Sequence, residues 1–161
     1  MNTIQHFLGA LAPLVLLSTT ANAQPNQESE MEARAALERF LEAWNTADNS
    51  AIQKTVNYPH ITHAPIGLIV ANAPRQFITD FEEMKQQGWA RSTFDKITPG
   101  QSSDRKVNFK VEYSRLNAAG EVISSGYVFY VVTNDEGHWG MQYRAPGQLR
   151  SESDEAVLID A

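Results

Sequence analysis

The chain has no cysteine among its 161 residues. That excludes disulfide staples, a thiol nucleophile and thiolate metal ligands, so stability has to come from a packed core. Basic residues are also scarce, with 13 Lys and Arg against 19 Asp and Glu and a formal net charge of −6. The longest basic run is the pair Arg105-Lys106. A phosphate-neutralising surface needs clustered cations, so nucleic acid is excluded as a partner, and an anionic membrane surface with it. No HExxH, no Gly-x-Ser-x-Gly elbow and no glycine-rich phosphate cradle occurs. Zinc-protease, serine-hydrolase and nucleotide-binding signatures are therefore missing, and neither a metal site nor a cofactor is expected.

Charge is missing locally as well, since Met1 to Ala23 contains no Asp, Glu, Lys or Arg. An apolar run from Phe7 to Leu17 is followed by Ala21-Asn22-Ala23. That pattern predicts a secretory signal peptide over 1–23, cleaved after Ala23 and too short to span a bilayer. The expected location is periplasmic or secreted, with no membrane insertion after cleavage. The rest of the chain divides into a polar, disordered leader over 24–29, one domain over 30–145 and an acidic, flexible tail over 146–161.

Within the domain, Met31, Ala33, Leu37, Phe40, Leu41 and Trp44 recur at helical spacing and predict an amphipathic first helix. Asp48 or Asn49 is suited to capping a short second helix with Ala51, Ile52 and Val56. Tyr58 to Val70 reads as extended. Pro74, Phe77, Ile78, Phe81 and Met84 predict a third helix ending at Gly88. The period then changes from 3.6 to 2, with expected strands over Trp89 to Ile97, Val107 to Tyr113, Val122 to Thr133 and His138 to Arg144. Asn117 to Gly120 and Asn134 to Gly137 are expected hairpin turns. Tyr127 to Val132 is apolar on both faces while the helices cover only one, which predicts a homodimer through the outer face of the sheet.

Between Ala36 and Gly67 the order is helix, a turn at Asn45-Thr46-Ala47-Asp48, a short helix and an extended segment closed by Pro65-Ile66-Gly67. This order resembles the entry of the cone fold shared by nuclear-transport-factor-2-like, ketosteroid-isomerase-like and SnoaL-like polyketide-cyclase proteins. The resemblance implies an α+β class: a cone-shaped, strongly curved antiparallel sheet wrapped around three N-terminal helices, with a pocket at the wide end. It also implies where isomerase chemistry would sit, and there the chain departs from the pattern. The base before the Pro-x-Gly turn is replaced by Ala64, the first-helix tyrosine by Phe40, and the late-strand acid by about Phe129.

Three functions follow as expectations. The first is binding of a small, mainly apolar molecule by aromatic walls, with Trp44, Trp89, Tyr113 and Tyr130 as candidates. The second is cofactor-free acid-base catalysis of the isomerase, cyclase or dehydratase type, with His63 as proton carrier and Tyr58 or Asp80 assisting. His60 and His63 lie three apart in an extended segment, so they face opposite ways, and His63 is the one expected to face inward. The third is a homodimeric interaction module whose pocket is filled by its own side chains. His138 and Arg144 are expected on the surface or at the dimer interface.

Overall fold

The computed structural model describes residues 25–148. The expected signal peptide and most of the expected acidic tail lie outside them. Three α-helices and six strands follow in the order α1 (Pro25–Asn45), α2 (Asn49–Gln53), β1 (Val56–Ala64), β2 (Gly67–Ala71), α3 (Phe81–Gln86), β3 (Arg91–Ser102), β4 (Lys106–Leu116), β5 (Val122–Asp135) and β6 (His138–Gln148).

Helix α1 carries the first buried face. Ala33, Ala36, Leu37, Phe40 and Trp44 are buried at helical spacing, whereas Met31, expected on that face, is 61 % exposed. The helix begins at Pro25, so the expected leader over 24–29 is helical from Pro25 onward. Tertiary contact explains the earlier start, because Ser29 is buried and the next residue, Glu30, accepts a 2.7 Å hydrogen bond from the Ser102 hydroxyl at the end of β3. Asp48 caps α2 by accepting from the Ser50 N–H at 2.8 Å.

The expected third helix is broken. Pro74–Gln76 forms a 3-10 turn, residues 77–80 are not helical, and α3 starts at Phe81. Side chains of α2 compete for the backbone there. Asn49 donates to the Thr79 carbonyl at 3.0 Å and accepts from its N–H at 2.8 Å, and Gln53 donates to the Phe77 carbonyl at 3.0 Å. Backbone groups held this way are withdrawn from a helical ladder. The helix therefore restarts at Asp80, whose carboxylate accepts from the Glu83 N–H at 2.9 Å.

The six strands form one open, curved sheet in the order β2-β1-β6-β5-β4-β3. Every neighbouring pair is antiparallel except β1 and β6, which run parallel, so the all-antiparallel expectation is corrected to a mixed sheet. Asn57 secures that parallel junction from a buried position, donating to the Thr133 carbonyl and hydroxyl, each at 2.9 Å. Val107, Phe109 and Val111 of β4, Val128, Tyr130 and Val132 of β5, and Trp139 and Met141 of β6 are buried on the inner face that packs with α1. Gly120 and Gly137 adopt φ of +83° and +91° at the two expected hairpin turns. Strand β3 starts after Trp89 and runs to Ser102, longer than the expected Trp89 to Ile97, and β6 continues past Pro146 to Gln148.

Candidate functional site

A cavity of about 110 Å³ lies between α1 and the inner face of the sheet. Phe40, Leu41 and Trp44 form its helical wall; Ser92, Phe94, Tyr113, Val128 and Tyr130 form the opposite wall. Arg115 and Arg144 supply its two cations, and Pro146 closes one side. The walls are pre-ordered by ring packing, with Phe40 at 5.7 Å from Trp44 and 6.2 Å from Tyr130, and Phe94 at 6.1 Å from Tyr130, between ring centres. Asn45, the last residue of α1, donates to the Ser92 carbonyl at 3.0 Å and accepts from its N–H at 2.8 Å, which fixes the rim of β3 against the helix.

Arg144 reaches the cavity because of a β-bulge. Val132 pairs with Met141 and Val131 with Tyr143, so Gln142 is an extra residue on β6. Past it the faces exchange. Tyr143 turns outward, its ring 6.4 Å from that of Phe129, and Arg144 stands opposite Tyr130 on the inner face. The Arg144 guanidinium lies 5.5 Å from the Trp44 ring centre and 5.7 Å from that of Phe77, and its Nε donates to the Thr62 hydroxyl at 3.2 Å. Among the described residues no carboxylate pairs with it. Burial holds its pKa below the ordinary value, with the Tyr130 phenol opposing and the Arg115 charge adding to the lowering. Burial likewise pushes the Tyr130 phenol up to about 12, against the pull of Arg144.

Of the residues expected to bind ligand, Trp44, Tyr113 and Tyr130 come together around this cavity. Trp89 does not join them. It is buried, donates from its indole nitrogen to the Ser92 hydroxyl at 2.9 Å, and helps to line a second cavity with Met84, Gln87, Arg115, Ile123 and Ser124.

The expected catalytic group is dispersed. His63 is exposed, its Nδ1 3.4 Å from the Tyr143 hydroxyl on the outer face, whereas His60 is 1 % exposed. The two imidazoles do face opposite ways, but inward and outward are the reverse of the expectation. The cause is that β1 buries His60 and Thr62 beside β6, so His63 falls out of phase with the core. The Pro65-Ile66-Gly67 turn leaves Ile66 88 % exposed. Tyr58 donates to the Gln53 carbonyl at 3.2 Å, and burial raises its pKa. Asp80 caps α3 and is exposed, so it is no partner for His63.

His60 is held by the Met141 carbonyl at 3.2 Å from Nδ1 and by the Thr62 hydroxyl at 3.3 Å from Nε2, with its ring 4.5 Å from that of Phe77. Burial, more than the opposing Met141 bond and the added repulsion from Arg144, lowers its pKa to about 4. Among the described residues no three His, Asp or Glu side chains converge in a metal-binding group.

Sequence reasoning missed Arg144, Arg115, Ser92 and Phe94 as site residues. Alternation identifies the inner face of β4 and β5, but nothing in His138 to Arg144 announces the extra residue that turns Arg144 inward.

No protein-family model and no curated protein matches the chain by sequence. Its fold does match solved structures. A nuclear-transport-factor-2-like protein with a cystatin-like fold from Novosphingobium aromaticivorans is similar at a TM-score of 0.62 and 12 % identity, over 81 % of this chain and 89 % of that one. A protein of the same superfamily from Salmonella enterica matches at 0.57 and 12 % identity, over 78 % and 94 %. A Nostoc punctiforme protein of unknown function with a cystatin-like fold matches at 0.59 and 16 % identity, over 73 % and 88 %.

Proposed function

We propose that this chain, which has the nuclear-transport-factor-2-like, cystatin-like cone fold, binds a small and mainly apolar organic molecule between α1 and the sheet. Fold alone does not carry this reading, since such scaffolds host many activities. The observation that carries it is the aromatic-walled cavity of about 110 Å³, on the order of the engineered cavity of about 150 Å³ that takes up benzene. An apolar guest there replaces water against Phe40, Trp44, Phe94 and Val128, and each buried CH₂ contributes about 0.8 kcal/mol.

The catalytic alternative lacks support at this site. Among the described residues no imidazole or carboxylate lines the cavity, and His63 lies outside it. The filled-pocket alternative predicts side chains where the open space is. The test is a panel of single-ring compounds added to isotopically labelled protein. Amide shifts confined to the parts of α1, β3, β4, β5 and β6 that line the cavity are the expected result; shifts elsewhere, or none across the panel, overturn the reading.

Export and dimerisation belong to the same proposal. The composition of Met1 to Ala23 supports export, and intact mass of the exported protein tests it, with a species that retains Phe7 to Leu17 as the contrary result. The outer face of β5 and β6 carries Tyr127, Phe129, Val131 and Tyr143, with Phe129 38 % exposed, which suits contact with a second copy. Sedimentation velocity reads this directly, and a clean monomer at micromolar concentration refutes it.

A further inference from the structure

Arg144 is a cation in a cavity whose other walls are largely aromatic and aliphatic. Its Nε is used by Thr62, and its guanidinium carbon lies 5.5 Å and 5.7 Å from the Trp44 and Phe77 ring centres. Among the described residues its terminal nitrogens have no carboxylate partner. Arg115 brings a second positive charge to the same space, and the Tyr130 and Tyr113 phenols flank it. A desolvated charge is costly unless paired, and planar guanidinium matches a carboxylate through two parallel hydrogen bonds.

We propose that the ligand of this cavity is a monocarboxylate with a compact apolar body, whose carboxylate pairs with the Arg144 guanidinium while the body lies between Phe40, Phe94 and Val128. The inference rests on the cavity-binding reading above and adds the chemical class of the ligand. Size limits the body to about one ring or a short branched chain. A phosphate or sulfate fits the site less well, because it has no apolar part to lie against the aromatic walls. Arg144 therefore acts as the specificity-determining residue, selecting acids over their neutral analogues.

The experiment uses the full chain and matched probes. Benzoate, phenylacetate and isobutyrate are titrated against their amides by calorimetry, with tryptophan fluorescence as a second signal. The acids are expected to bind at least about 10-fold more tightly than the amides, and Arg144→Gln to abolish that preference, leaving acid and amide equal. If Arg144→Gln loses the fold, the acid-to-amide comparison on the parent protein and on Arg144→Lys decides, because it needs no neutral variant. Equal binding of acid and amide overturns the inference and leaves the cavity reading intact. No binding across the panel overturns both. Competition by inorganic phosphate or sulfate as strong as that of benzoate also overturns it, since an apolar body would then contribute nothing.

Discussion

Tyr130 and Arg144 face each other across the β5–β6 ladder with both side chains on the inner face of the sheet, although strict alternation from Met141 would send Arg144 outward. Gln142, the bulged residue, is the reason. The pair joins an aromatic wall to a cation that rests against Trp44. Burial raises the Tyr130 pKa to about 12 against the pull of Arg144, so the phenol beside the guanidinium is neutral.

Tyr130→Phe separates wall from head group. The ring keeps its neighbours Phe40 and Phe94, so unfolding free energy should change by less than about 1 kcal/mol. Affinity for a carboxylate probe should fall severalfold, with amide binding unchanged. Undiminished carboxylate binding would mean that the phenol does not face the anionic end.

His60 makes stability depend on pH. Its folded pKa of about 4 lies below the ordinary 6.5, so between these values the unfolded chain binds more protons. The contribution is complete above about pH 6.5 and is lost as pH falls toward 4, by on the order of 3 kcal/mol. Denaturation midpoints of the parent and His60→Gln at pH 7.5, 5.5 and 4.5 isolate it as the difference between two slopes. Parallel slopes would show that the imidazole is not buried in the neutral form.

Trp44→Ala and Phe81→Ala remove two rings 5.1 Å apart in the core and should each cost about 3 to 5 kcal/mol. Asp80→Ala removes a helix cap only, and should cost about 1 kcal/mol with ligand binding intact. Chemical denaturation ranks all three. A cost at Asp80 equal to that at Trp44 would contradict its role as a cap.

Gly126 leaves room for a site residue. A Cβ there would meet the Tyr113 hydroxyl at 3.0 Å and the Gly147 carbonyl at 2.9 Å. Gly126→Val should therefore displace the Tyr113 ring, destabilise by about 1 to 3 kcal/mol and alter probe binding. A crystal structure of the variant with Tyr113 unmoved would refute this account.

Periodicity and turn chemistry by themselves determined the amphipathic face of α1, the inward set Val107, Phe109 and Val111 and the glycine turns at Gly120 and Gly137, whereas the cone fold was implied by a resemblance in element order. These rest on local chemistry: which residues are apolar, at what spacing, and where positive φ is needed. Trp44, Tyr113 and Tyr130 were legible as walls for the same reason.

The rest needed the folded chain. Thr79 is held by Asn49, 30 residues away, and that contact splits the third helix and makes Asp80 a cap. The parallel pairing of β1 with β6 decides that His60, and not His63, is buried. One extra residue at Gln142 turns Arg144 inward and gives the cavity one of its two cations. Each depends on a partner distant in sequence, and a pattern with period 2 or 3.6 cannot register a bulge or a competing hydrogen bond until the partner strand or helix is in place.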